Sequence, residues 1–437
     1  MIGPPIEKEA DVVVVGGGIN GCAIAYNLAK RGTKVVLLEK GNIADEASGR
    51  TMGAVRNLRR FPAEICWMSE SLKLWDQLDE ELQARTGFTR GGAIILAEND
   101  NDVEAIEASA QLAKDYGLKS YSLKTPKELQ EIVPGLEGPI KGGLYTPDDG
   151  YADPPDTVNA FARAAQENGA LIYTQTPVQG IEVSGGNISS VITDRGEIKT
   201  STLVCATGIW SAKLARMVGL SLPIKTTRIV GIETESCSPQ FTPFVFGPLG
   251  GFRPTSRGTI YLTIGYRLPL NYDMATDALR SLRHWMPTLI SFRKQIKMNV
   301  GVDLLKDIAR TLPGSPARKR PFAFSSGVEP KIDRKMLKQI KSKFDQLMPS
   351  LKDVKIVRTW GGQMAMTPDM IPILGKVDRP QGLILIVGWS GHGFAPGPIM
   401  GRLMTELILD GKTSLSIHPF RYSRFAEGDV QMSQKWI

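Results

Sequence analysis

Three glycines and one carboxylate near the start of this 437-residue sequence have the spacing of a dinucleotide cradle. Gly16, Gly18 and Gly21 fill a G-x-G-x-x-G template, and Glu39 ends the second apolar run after them. In such a template the first glycine makes a tight turn and the second lets backbone N–H groups approach a pyrophosphate. The third lets the following helix pack closely on the strand. A carboxylate at Glu39 accepts hydrogen bonds from ribose hydroxyls and disfavours a 2′-phosphate, which points to the adenosine end of FAD or NAD. The elements that must position these groups are also legible. Residues 11–15 read D-V-V-V-V, a buried parallel strand. Ala23, Ile24, Tyr26, Leu28 and Ala29 continue as a helix that stops at Gly32, and 34–38 give a second strand. The helix N-terminus faces the phosphates. A lone glycine template is weak, but strand, glycines, helix, strand and acid in this order are specific.

Three later blocks narrow the cofactor. Residues 203–211 read L-V-C-A-T-G-I-W-S, 367–375 read T-P-D-M-I-P-I-L-G, and 382–394 read G-L-I-L-I-V-G-W-S-G-H-G-F. The last is a buried strand running into a glycine-rich loop. A helix expected over 400–409 aims its N-terminus back at that loop, where it stabilises negative charge. Together these blocks, spread from residue 11 to 410, resemble the D-amino-acid oxidase superfamily of FAD enzymes. Within it they are most similar to the sarcosine oxidase and glycine oxidase branch, near sarcosine oxidase beta subunits.

The resemblance implies an α/β fold: a Rossmann-type FAD-binding domain with an antiparallel-sheet α+β substrate domain. Around FAD it places Gly16, Gly18, Ile19, Asn20, Gly21, Glu39 and Lys40, then Ser48, Gly49 and Val178. Ala206, Thr207, Gly208 and Trp210 pass beneath the dinucleotide, and Gly391, His392, Gly393 and Phe394 lie beside the flavin. Arg56 and Arg59 take the place of two arginines that bind the substrate carboxylate, a role suited to a bidentate, always-charged guanidinium. Arg253, on a strand over 251–254, is a third candidate ligand. Convergence of all three would favour a dicarboxylate such as iminodiacetate or an opine-like imino diacid. The implied reaction is oxidation of a secondary amine alpha to a carboxylate, as in sarcosine or iminodiacetate. The alpha C–H is held about 3–3.5 Å from flavin N5 for hydride transfer. Hydrolysis of the imine gives glyoxylate and an amine, and O2 reoxidises the flavin to yield H2O2. No metal is expected.

Three departures qualify the resemblance. The family attaches its flavin through a cysteine just before the T-P-D block, but 358–364 read R-T-W-G-G-Q-M, so noncovalent FAD is expected. Ala395 stands where relatives carry a lysine that clamps the carboxylate. Thr263 stands nearest to where they carry a lysine that handles oxygen, which leaves O2 or another acceptor open.

Composition bounds the rest. With 42% hydrophobic and 22% charged residues, and 45 glycines without a G-X-Y period, disordered and collagen-like chains are excluded. Cys22, Cys66, Cys205 and Cys237 form no C-x-x-C pair, so neither a metal cage nor a disulfide framework is expected. No apolar run reaches about 18 residues, and the N-terminus lacks a signal-like core, so a reducing, cytoplasmic setting is expected. Lys and Arg number 53 against 45 acids, a net +8. Residues 280–343 hold 16 basic and 4 acidic residues, so this segment carries 16 − 4 = +12 and the remainder 8 − 12 = −4. A helix over 277–296 is expected there, with Leu279, Leu282, Met286, Leu289 and Ile296 on one stripe. Arg280, Arg283, Arg293, Lys294 and Lys297 lie mostly off it. This is either a solvated face of the substrate domain or a peripheral contact with the inner membrane face. The FAD domain is expected from 1–95, 150–222 and 350–437. The substrate domain takes 96–149 and 223–349, with a basic helical insert at about 277–343 and an exposed loop over 313–321. Two alternatives follow from the charge: a membrane-associated dehydrogenase feeding quinone or a partner, and a tRNA-modifying FAD oxidase. Nucleic acid is disfavoured, because the segment lacks an RNA-recognition module or interleaved aromatics.

Overall fold

The valine run that opens the chain is the centre of a six-stranded sheet. The computed structural model describes residues 5–267, 270–273, 281–293, 296–299, 304–305, 308–309, 312 and 332–430. Val12–Val15 lies between Leu203–Cys205 and Val35–Leu38, parallel to both, with Val13 opposite Leu203 and Val12 opposite Val35. Leu171–Tyr173 closes one edge, while Leu383–Val387 and the antiparallel Ile373–Lys376 close the other. Such a run lacks alternation because both faces are covered. Val12 and Val14 pack with the helices Ile19–Lys30, Pro154–Glu167 and Gly397–Leu409. Val13 and Val15 face the small sheet of Val178–Ser184, Asn187–Thr193 and Gly196–Lys199 and the helix Ser211–Arg216. The helix expected from 400 begins at Gly397. It sits tightly on Ile19–Lys30, since a Cβ at Gly401 would lie 2.7 Å from the Ala23 carbonyl oxygen.

The second sheet is mostly antiparallel. Lys225–Thr234 is its spine, paired along its length with Ile356–Met366 and, at its two ends, with Leu270–Asp273 and Ile260–Ile264. Beyond these run Gly250–Pro254, Phe244–Phe246, Ala93–Ala97, Gly142–Thr146 and Tyr121–Leu123. Two strands cross the boundaries expected from sequence. Ala93–Ala97 spans residue 95, and Ile356–Met366, assigned above to the cofactor domain, is a strand of the antiparallel sheet. The second sheet is therefore built partly from the segments that flank the cofactor.

The basic insert differs from its expected form. Its helix spans Leu282–Ser291, contains Pro287, and buries Trp285 and Thr288. Met286, expected on the apolar stripe, is exposed, as is Ile290. The face is set by Trp285, whose indole N–H donates to the Pro223 carbonyl and whose ring packs edge-on to Tyr272. Ile296 belongs to a strand, Ile296–Asn299. Leu279, Arg280, Lys294 and the loop 313–321 lie outside the described residues. No described helix is long and apolar enough to cross a membrane.

The C-terminal region is tied to the T-P-D block by one fully buried ion pair. Arg424 donates to both Asp369 carboxylate oxygens, at 2.8 and 3.1 Å, and to the carbonyls of Phe420, Arg421 and Ile371. Removing one member strands a buried charge. Asp369→Asn is expected to lower unfolding free energy by about 3–5 kcal/mol in denaturant titration. Arg424→Lys is expected to destabilise as well, because a point charge lacks the fork geometry.

Candidate active site

The cradle is built from backbone. Gly16 has φ +114°, and a Cβ at Gly21 would lie 1.9 Å from the Gly16 carbonyl oxygen, so both must be glycine. The helix from Ile19 starts without a side-chain cap on Gly18, and the Ile19 N–H donates to Ser48 Oγ at 3.1 Å. Glu39 is buried and accepts the Gly17 N–H on Oε2 and the Gly41 N–H on Oε1, each at 2.7 Å. Burial raises its pKa, and these two bonds oppose the rise. An open cavity of about 720 Å³ runs over this surface. Gly16, Gly18, Glu39, Lys40, Ser48, Val178, Ala206, Thr207, Gly208 and Trp210 line it. Lys40 pairs with Glu46 at 2.7 Å and sits over the Trp210 ring. Gly21 and Gly49 are not on its wall. They serve close packing instead, since a Cβ at Gly49 would lie 1.9 Å from the Ala44 carbonyl oxygen.

A second cavity continues from the first, sharing Gly18, Ala47, Ser48, Ala206, Gly208 and Ile209. Ile19, Asn20, Trp389, Gly391, Gly393 and Phe394 also line it. Two of its polar atoms, Asn20 Oδ1 and Trp389 Nε1, are buried without a hydrogen-bond partner. A buried acceptor and a buried donor left open in this way call for a polar-edged ligand between them.

A third and larger cavity follows, sharing Thr51, Ile229, Met364, Ser390, Gly391 and Phe394 with the second. Arg56, Arg59 and Arg60 all line it, with Glu64 and His392. Ser390 and Arg59 adopt φ of 49° and 55°, uncommon for side-chain-bearing residues and typical of constrained sites. Arg56 Nη1 donates to the Arg59 carbonyl at 3.1 Å and to the Leu58 carbonyl. Arg60 donates to the carbonyls of Arg56 and His392, tying the arginine loop to the S-G-H-G loop. Arg59 stacks 4.5 Å over the Tyr266 ring. Burial pushes the Arg59 and Arg60 pKa values down to about 10, and Arg56 adds to both shifts, yet all remain cationic near neutrality. Two buried acids offset the cluster. Asp149 faces Arg56 and accepts the Asn57 N–H at 2.7 Å, with Thr146 Oγ1 also at 2.7 Å. Glu64 Oε1 lies 2.9 Å from His392 Nε2. Burial would raise the Glu64 pKa, but His392 and Arg60 outweigh it and hold the carboxyl below its ordinary value.

Arg253 does not join this group. It is fully buried in the strand Gly250–Pro254, and its guanidinium donates to the carbonyls of Met52, Pro254 and Ala152 and to Asp153. It also lies between the rings of Tyr151 and Tyr261. It braces the sheet against the 52–54 and 152–153 segments, so the three-arginine dicarboxylate pocket expected from sequence is not formed.

The sequence of residues 11–407 matches the FAD-dependent oxidoreductase model, DAO. The chain belongs to this family. It is 27% identical over 435 residues to sarcosine oxidase subunit beta of Arthrobacter sp, covering 98% of this chain and 94% of that one. It is 26% identical to human mitochondrial sarcosine dehydrogenase, covering 96% of this chain but only 42% of that relative's length. The L-amino acid deaminase of Proteus myxofaciens superposes with a TM-score of 0.86 at 25% identity, over 97% of this chain and 95% of that one.

For a chain of this family, the first two connected cavities suit the cofactor's extended shape, and the third opens beside its ring end. Glu39 and the glycine turn would hold the adenosine and pyrophosphate, while Asn20, Trp389 and Gly391 would border the ring system. No cysteine lines any of the three. Three residues of the chamber wall, Arg60, Glu64 and Tyr266, and the buried Asp149 near Arg56 escape sequence reading. Pro62 and Glu64 do carry the pattern of a helix start, and Pro62–Glu81 is a helix. Nothing local links Glu64 to a histidine 328 residues away.

Two measurements check this geometry. Glu39→Gln turns an amide N–H₂ toward a backbone N–H, so FAD dissociation, followed by flavin fluorescence, is expected to rise about tenfold or more. Because the folded Glu64 pKa lies below its ordinary 4.5, its stabilisation is complete above that value. It is lost as pH falls through the lowered folded value. The stability gap between the protein and Glu64→Gln should therefore shrink between about pH 6 and pH 3 in urea titrations.

Proposed function

We propose that this protein oxidises an amino or imino acid at the carbon alpha to its carboxylate, the substrate being an N-substituted glycine or a related α-amino acid. The observation that carries the reading is the cluster of Arg56, Arg59 and Arg60 opening into a chamber continuous with the cofactor cavities. Relatives named for sarcosine oxidation, sarcosine dehydrogenation and L-amino acid deamination support an amino-acid substrate. Bound FAD supplies the hydride acceptor at N5 and passes the electrons onward.

The chain's own residues do the rest. Arg56 and Arg59 take the carboxylate, Arg59 from its stacked position on Tyr266. Fixing one end of a small substrate in this way removes much of the entropy of reaching a reactive pose. The cationic field of the cluster lowers the pKa of the substrate amine, favouring the neutral form that can release hydride. No separate base is needed for that. The ionised Glu64 carboxylate only accepts, so His392 holds its proton on Nε2 and its ring orientation is fixed.

A second reading concerns the electron acceptor. Thr263, not a lysine, lines the chamber, and the insert exposes Met286, Ile290 and Met298 beside Arg283 and Arg293. This favours a quinone or partner at an anionic membrane surface over O2. Sedimentation with vesicles of mixed anionic and neutral lipid, with O2 and dye reduction compared, separates the two.

Replacing Arg56 or Arg59 by Met should raise the substrate dissociation constant in anaerobic flavin bleaching about ten- to a hundredfold, the equivalent of losing charge-assisted hydrogen bonds. FAD content should stay unchanged. Equal bleaching by the variants and the parent protein would remove the carboxylate role.

A further inference from the structure

Amino-acid oxidation, as proposed above, leaves open which group the substrate carries besides its carboxylate and amine. The chamber walls bear on that choice. Its cationic side chains come from one short segment, 56–60, and among the described residues that line it there is no other lysine or arginine. Asp369 also reaches its wall but is committed to Arg424. Thr51, Thr263 and Ser390 are uncharged. Among the described residues, the chamber thus has one arginine pole, with His392 beside it held by Glu64, and no second one.

An aromatic row leads away from that pole. Arg59 lies over Tyr266, Tyr266 packs against Phe246 with ring centroids 5.7 Å apart, and Phe246 against Phe244 at 5.7 Å. Met364, Met366 and Met370 also line the chamber. Methionines adapt to irregular apolar shapes and make favourable contacts with aromatic rings. Glycine or sarcosine held at the arginines would leave Phe246 and Phe244 without a contact from the substrate. A far carboxylate directed along that row would lie against phenylalanine and methionine with no described cation there to pair it, at a large desolvation cost.

From this we infer that the substrate is a monocarboxylic amino acid bearing a bulky apolar group, best an aromatic one. Its carboxylate sits at Arg56 and Arg59, and its ring lies along Tyr266, Phe246 and Phe244. The inference rests on the proposed amino-acid oxidation but narrows it to a substrate class. The ring could hang from the nitrogen, as in an N-arylmethyl glycine, or from the alpha carbon, as in an aromatic amino acid. Both present the same chemistry to the row.

The test uses the FAD-loaded protein. Anaerobic bleaching rates are compared for glycine, sarcosine, iminodiacetate, N-benzylglycine, L-phenylalanine and D-phenylalanine. In parallel, binding of acetate and 3-phenylpropionate, which do not react, is read from perturbation of the visible flavin band. At least one aromatic substrate should bleach the flavin with an efficiency about 10- to 100-fold above sarcosine, and 3-phenylpropionate should bind tighter than acetate by a similar factor. The N-benzyl and phenylalanine arms report which atom carries the ring. Phe246→Ala should cut the preference for 3-phenylpropionate over acetate about tenfold, and Phe246→Leu should restore part of it, in protein with parental flavin content. Bleaching by sarcosine or iminodiacetate at least as efficient as by any aromatic substrate, with no tighter binding of 3-phenylpropionate, would overturn the inference while leaving amino-acid oxidation standing. Tight 3-phenylpropionate binding with no bleaching by any amino acid would support the apolar seat and overturn the oxidation.

Discussion

Three guanidinium groups within five residues repel one another, and burial makes each costlier to keep charged. Buried Asp149 and Glu64 offset Arg56 and Arg60, and Asp102 offsets Arg59. Neither Asp149 nor Glu64 is a passive counter-charge. Asp149 also holds the backbone N–H of Asn57, which fixes the path of the arginine loop. Glu64 takes His392, whose carbonyl accepts from Arg60. Charge balance and loop geometry are therefore one network, and it joins three separate parts of the chain. These are the turn before Gly150–Tyr151, the first turn of Pro62–Glu81, and the loop after Leu383–Val387. A substitution at one corner would strand a charge and release a loop together.

The cofactor end is organised on another principle. There, few side-chain charges are needed, because the shape is set by backbone approach. Gly16 and Gly21 touch at a distance no Cβ allows, which presses the helix onto the strand. Glu39 then has both oxygens tied to the backbone of Gly17 and Gly41, so its carboxylate is already oriented. Such a site depends on local sequence, whereas the arginine pole depends on contacts between distant segments.

That difference explains what could be read from the sequence. The glycine template, the flanking strands and Glu39 lie within one short stretch, and their order alone describes the element they build. The parallel sheet was legible for the same reason, since Val12–Val15 and Leu383–Val387 are continuous apolar runs. Arg253 shows where the reading fails. Its neighbours say only that it is on a strand, and a sequence does not reveal that Asp153 and three carbonyls consume its guanidinium. Glu64 fails in the opposite direction: it reads as an ordinary helix-start acid, and its partner is brought to it only by the fold. In the basic insert, the stripe of Leu282 and Met286 competes with one tryptophan. Trp285 wins because it buries a larger surface and satisfies its indole N–H at Pro223.

The same division governs where the protein is free to vary. The cofactor track and the arginine pole are over-determined by close packing and by charge balance, so few substitutions there are neutral. The far chamber wall is different. Phe244 and Phe246 sit on a short strand between Ala93–Ala97 and Gly250–Pro254, and Phe292 and Ile296 come from the insert. None of these four side chains balances a charge in the pole or shapes the glycine turn. Apolar walls of this kind tolerate changes of size more readily than buried networks tolerate changes of charge. On the proposed function, an anchor for the carboxylate alone, joined to a wall that can be recut, would let one scaffold accept different amino acids. On that proposal, selectivity would reside in the aromatic row and the insert, and the chemistry in the arginine loop and the cofactor track.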